Sequence, residues 1–142
     1  MIGVIDTDGD VAEWTFPAEP DAVRTARHVV RDALRAWELD TSLGDLTVLL
    51  VSELVTNSLR YTSGPIGVRL VRLNLDGASP PPVPALLVEV SDPLPDPPRE
   101  RPAGPDDEGG RGIQLVACAA RRWGTRRGRS GKTVWFELPL PG

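Results

Sequence analysis

Glu53 and Asn57 stand four residues apart in Glu53-Leu54-Val55-Thr56-Asn57, a stretch whose other members read as buried helix. Residues at that step share one helical face, so a carboxylate and a carboxamide would sit together on a surface otherwise made for packing. Polar groups so placed cost free energy unless something satisfies them. An Asn carbonyl oxygen suits a hard cation such as Mg2+ that also carries phosphates and waters, and a neighbouring carboxylate can take a proton or orient a water. The plainer reading is a buried pair that satisfies backbone groups near a helix end. Two further features bear on the choice. Asp92 closes a strand-like run just before a long irregular segment, where a carboxylate can accept from an exocyclic amine or cap the following turn. Gly109-Gly110-Arg111-Gly112 meets the start of a helix, whose free amides and positive dipole end suit a phosphate, although tight turns need glycine as often.

The elements that must position these residues follow from periodicity. Leu46, Leu50, Glu53 and Asn57 fall on one stripe at steps of four, three and four, so the pair continues the apolar face of a helix over residues 43–61. Thr41-Ser42 is its N-cap, and Thr62-Ser63-Gly64-Pro65 stops it. An amphipathic helix precedes it, opened by Glu19-Pro20-Asp21, with Val23, Ala26, Val30, Ala33, Leu34 and Trp37 on one side. Arg24, Arg27, Arg31 and Arg35 take the other side, and His28 is expected in solvent. Strands are expected over residues 11–16, 66–75, 85–92, 123–127 and 132–140. In the third of these, Leu86, Val88, Val90 and Asp92 share a face, so Asp92 points where the core residues point. Alternation slips between Leu70 and Val71, which predicts a bulge or burial on both faces. Residues 93–110 are dominated by Pro, Gly, Asp, Glu and Arg and read as a long loop, followed by a short helix from Gly110 or Arg111 to Arg121. The order strand, two helices, two strands, loop, helix, two strands predicts an α+β fold. It is a two-layer α/β sandwich with a mostly antiparallel mixed sheet and helices on one face.

Composition bounds what such a fold can do. With 142 residues, 40% of them hydrophobic, the chain suits one domain with one core, over about residues 10–140. A net charge of −4 and a pI near 5.0 give no global positive field for nucleic acid or an anionic membrane. Arg121, Arg122, Arg126, Arg127 and Arg129 make a local basic patch that reads as solvated surface. The single cysteine, Cys118, excludes an internal disulfide, and its alanine neighbours predict a core position. Trp14, Trp37, Trp123 and Trp135 are expected in the core or on the sheet, and any left exposed would mark a protein interface. No segment resembles a signal peptide and no apolar run approaches the ~20 residues that span a bilayer, so a soluble cytoplasmic protein is expected.

Four features occur in one order: Glu53-x-x-x-Asn57 on a helix, Asp92 at a strand end, Gly110-Arg111-Gly112 opening a helix, and Gly131-Lys132-Thr133 opening the last strand. Together they resemble the N, G1, G2 and terminal threonine boxes of the GHKL ATPases, the superfamily of gyrase, histidine kinases and mismatch-repair ATPases. Residues 51–57 (VSELVTN), 109–116 (GGRGIQLV) and 133–139 (TVWFELP) look like the small single-domain anti-sigma factor serine/threonine kinases of bacteria, among them many actinobacterial proteins. The resemblance implies a Bergerat, or histidine kinase-like, fold with ATP between the helical layer and a lid loop over about 93–110. By family role Asn57 binds Mg2+, Glu53 is the catalytic base or water-orienter, and Asp92 accepts from the adenine amino group. Gly110 and Gly112, with Arg111 between them, let the lid backbone approach the phosphates, and Thr133 supports Asp92 or the adenine through a water. The resemblance further implies sequestration of a sigma factor and phosphorylation of a Ser or Thr on a STAS-type antagonist protein. A homodimer is compatible with it, while direct nucleic-acid or membrane binding is not expected. One departure is plain: where the superfamily carries Asp-x-Gly-x-Gly, this chain has Asp92-Pro93-Leu94-Pro95-Asp96. Pro93 and Pro95 donate no N–H and lose the close approach that glycine permits. That motivates an alternative, a non-catalytic regulatory module that holds a protein partner with little or no ATP turnover.

Overall fold

Six strands form one sheet: β1 (Ile2–Ile5), β2 (Val11–Phe16), β3 (Ile66–Leu73), β4 (Ala85–Asp92), β5 (Arg122–Gly128) and β6 (Gly131–Pro139). The computed structural model describes residues 2–5, 11–39, 41–61, 64–73, 84–93, 108–128 and 131–140. The strand order is β1-β2-β3-β4-β6-β5, and each neighbouring pair is antiparallel, so the mixed character expected of the sheet is absent among the described strands. β1 is an additional strand that the sequence reading did not predict; it pairs Ile2 with Thr15 and Ile5 with Ala12.

Three helices, α1 (Ala22–Ala36), α2 (Thr41–Tyr61) and α3 (Glu108–Ala119), complete the fold. The inward side chains of the sheet, among them Trp14, Phe16, Ile66, Leu70, Leu86, Val88 and Phe136, join Ala26, Val30 and Leu34 of α1 with Leu50, Val51 and Val55 of α2 in one core. Each such fully buried large side chain contributes about 1.5–3 kcal/mol, so this interface is what fixes α2 against the sheet. The result is the predicted α+β sandwich of two layers. α1 ends at a Schellman turn, in which the N–H groups of Glu38 and Leu39 donate back to Arg35 O and Leu34 O.

Several expectations need correction. β3 runs without a bulge: Val71 faces Leu87 and Arg72 faces Leu86 in unbroken register. The apparent slip arises because Val71 takes the outer face, while the Arg72 guanidinium lies 5.1 Å from the centroid of the Trp37 ring and ends the inner stripe as a cation–π contact. α3 starts at Glu108, two or three residues before the predicted start. Cys118 is exposed, because a step of two from the buried Val116 turns it about 200° around the helix. Trp14 and Trp37 are buried as expected, whereas Trp123 is 40% exposed on the edge strand β5. His28 is exposed beside Asp32 at 3.4 Å.

The outer face of the sheet is held by charge. Arg69 Nη1 donates to Glu89 Oε1 at 2.9 Å and its Nε lies 3.7 Å from Glu13 Oε2, while Arg126 reaches Glu89 from across β6. Arg121 pairs with Glu137 at 3.3 Å. The basic patch is therefore partly neutralised; Arg129 lies outside the described residues.

Candidate functional site

α2 carries a row of hydroxyls, and three of them are satisfied within the helix itself. Thr47 donates to Leu43 O at 2.8 Å, Ser52 to Leu49 O at 2.8 Å and Thr56 to Ser52 O at 2.7 Å, the usual back-bonding of such residues. Two residues at the C-terminal end of α2 behave differently. Ser58 turns toward the sheet and donates to Asp92 Oδ2 at 3.3 Å. The Oδ1 of Asn57 is buried without a hydrogen-bond partner among the described residues. A buried acceptor left in that state costs about 1–3 kcal/mol, so it is a candidate ligand position and not a finished packing detail. Glu53, one turn earlier, is half-buried on the same stripe.

Asp92 is buried at the end of β4, on the inner face as its parity requires. Its β6 partner in the ladder is Lys132, whose Nζ lies 3.8 Å from Asp92 Oδ2. Thr133 points the other way: its hydroxyl lies 2.7 Å from that of Ser91, so it steadies the end of β4 through the residue before Asp92. A cleft of about 320 Å3 opens here, lined by Asp92, Lys132 and Thr133 with Arg126, Arg127 and Gly131.

Two glycines enclose the Asp92-Pro93 bond. A methyl group on Gly131, whose φ is +151°, would run into the carbonyl oxygen of Asp92 and stand 2.9 Å from Pro93 Cα. A methyl on Gly64, just past α2, would enter the Pro93 ring, with Cβ and Cδ at 3.4 Å and Cγ closer still. Pro93 is thus seated against the end of α2. Gly64→Ala should lower stability by about 1–3 kcal/mol through overpacking. Pro93→Ala in the same chain should restore most of it, because the obstructing ring atoms are gone; a urea double-mutant cycle that returns additive effects would refute the contact.

The remaining predicted positions lie at the start of α3. Gly110, Arg111 and Gly112 fall in the first turns of α3, and residues 94–107 lie outside those described. The structure therefore brings Asn57, Ser58, Asp92 and Lys132 toward one end of the sandwich, where α2, β4 and β6 meet. It attaches Thr133 to that group from the outer face. Sequence reasoning missed Ser58, Lys132 and Gly64 as members. Only the strand register could have singled out Lys132, since it sets Asp92 and Lys132 side by side. Among the described residues no three His, Cys, Asp or Glu side chains gather into a metal site. A cation here would need ligands from elsewhere, and the unpaired Asn57 oxygen fits one that arrives on phosphates. No helix of the described residues is long and apolar enough to cross a membrane.

Comparison with known proteins agrees with this layout. The chain's fold is similar to that of the RsbU and RsbW domains of Rv1364c from Mycobacterium tuberculosis, with a TM-score of 0.62 and 21% identity over 90% of this chain. The chain spans 32% of that one. No curated protein sequence matches it. The model of the histidine kinase-like ATPase domain matches residues 16–138, which include the helix of Asn57, the strand of Asp92 and all but the last residue of the final strand; the chain belongs to that family.

Proposed function

We propose that this chain is an ATP-dependent serine/threonine protein kinase of the anti-sigma factor type. It sequesters a sigma factor and phosphorylates a Ser or Thr of a STAS-type antagonist in the cytoplasm, as a single domain able to form a homodimer. The observation that carries the reading is the family match over residues 16–138, and the Asn57 oxygen, buried without a partner among the described residues, supports giving it the metal role. The fold likeness to a protein with an RsbW domain supports the same choice.

In this reading Asn57 holds Mg2+ on the ATP phosphates through Oδ1, and Asp92 accepts from the adenine amino group. Ser58 and Lys132 keep the Asp92 carboxylate in place from two sides. Glu53 takes the proton of the attacking hydroxyl or orients it, and the backbone around Gly110, Arg111 and Gly112 approaches the phosphates at the start of α3. Bound Mg2+ supplies charge neutralisation across the phosphate oxygens, which together with positioning accounts for most phosphoryl-transfer catalysis.

One observation favours the second reading, a regulatory module without turnover: the Pro93 ring occupies the ground beside Gly64 where the superfamily has flexible glycine. Incubation with γ-labelled MgATP and unphosphorylated STAS proteins separates the two. The kinase leaves label on one of them, and Glu53→Ala removes it. Nucleotide binding without label on any antagonist would replace the first reading by the second.

A further inference from the structure

Lys132 enters the Asp92 cleft from the neighbouring strand, and its placement bears on which base the site accepts. It faces Asp92 in the antiparallel ladder, its Nζ is 3.8 Å from Asp92 Oδ2, and the two side chains are only 13% and 2% exposed. The ammonium is therefore largely stripped of water and held beside the carboxylate, while the Ser58 hydroxyl meets the same oxygen from the helix side at 3.3 Å. At 3.8 Å the pair is an ion pair without a short hydrogen bond, so the acceptor and the donor stand side by side.

A carboxylate alone is selective in a simple way. It accepts from a 6-aminopurine but repels the oxygen of a 6-oxopurine, because two acceptors then face each other. With an ammonium beside it, the site presents an acceptor and a donor side by side. A 6-aminopurine satisfies both, giving its amino N–H to Asp92 and taking a proton donor from Lys132 at the adjacent ring nitrogen. A 6-oxopurine also satisfies both after a shift of one ring position: its N1–H meets Asp92 and its O6 meets Lys132. Resting on the nucleotide-binding reading above, we infer that Lys132 is a specificity-determining residue that widens the site to 6-oxopurine as well as 6-aminopurine nucleotides.

Calorimetric titration of the full chain with ADP and with IDP, each with Mg2+, tests this. Wild type is expected to bind the two within about tenfold of each other. Lys132→Met should weaken IDP more than ADP, widening the ratio by roughly tenfold or more, the value of one hydrogen bond to a charged group. Lys132→Arg, which keeps a donor, should hold the ratio near that of wild type. A Lys132→Met ratio within twofold of wild type overturns the inference and leaves the nucleotide reading intact. If that variant does not fold, a wild-type preference for ADP above about a hundredfold overturns it equally. Failure of wild type to bind either nucleotide at millimolar concentration overturns both.

Discussion

Asn57→Ala is expected to weaken MgADP or MgATP by about a hundredfold or more, while the nucleotide-free protein melts no lower than wild type. The two halves of this result have one cause. In the free protein Oδ1 of Asn57 is a buried acceptor without a partner among the described residues. Removing it relieves a desolvation penalty of about 1–3 kcal/mol, and Ala improves on Asn in a helix by roughly half a kcal/mol. Some of that gain is lost with the packing of the carboxamide. With each kcal/mol worth about 3 °C in a chain of this size, a melting temperature equal to wild type or a few degrees above it follows. If Asn57 holds the cation as proposed, loss of its oxygen removes at least the ~1.5–3 kcal/mol of one charge-assisted contact. Thermal melts by circular dichroism beside calorimetric titration read both quantities. If the variant instead loses several degrees and nucleotide affinity stays put, Asn57 is a structural residue that satisfies its own surroundings.

Gly131→Ala should be the most damaging added methyl among the glycines whose surroundings are described. The added carbon would overlap the Asp92 carbonyl oxygen, and the backbone angle of +151° is one that side chains with a β-carbon rarely adopt. Neither obstacle is a flexible side chain, so the ends of β4 and β6 must part. A loss of about 3 kcal/mol, or close to 10 °C, is expected from strain and overpacking together. Asp92, Lys132 and the Ser91–Thr133 contact move with those strand ends, so nucleotide binding should fall further than stability alone explains. Hydrogen exchange localised to 91–93 and 131–133 identifies the displaced segment; an unchanged melt and unchanged exchange would show that the strands are not in contact there.

What could be read in advance depended on whether a property belonged to one segment or to two. Asp92 was legible because strand parity fixes its face from Leu86, Val88 and Val90 alone, and the Glu53–Asn57 stripe was legible because helical steps are local. Lys132 beside Asp92 needs the register of two strands 40 residues apart, which no local pattern contains. The seating of Pro93 on Gly64 joins the end of a helix to the end of a strand and is likewise invisible in either. β1 escaped because four residues around Gly3 carry too little alternation to stand out, and its existence is decided by the pairing that β2 offers. Cys118 misled because alanine neighbours suggest burial, whereas the helix turns that position outward.

The seat of Pro93 between the Gly64 and Gly131 backbones also changes when entropy is lost. In a glycine-rich version of this segment, freezing the backbone after Asp92 would accompany each binding event, at about 1–2 kcal/mol per ordered residue. Here the ring has already fixed φ, and the two glycines leave no space for it to swing, so that loss belongs to folding and is not repeated with each ligand. Pro93 removes one amide donor and in return gives the end of β4 a backbone that does not have to be ordered. Under the proposed nucleotide reading, Asp92 then meets the base as a stationary reference.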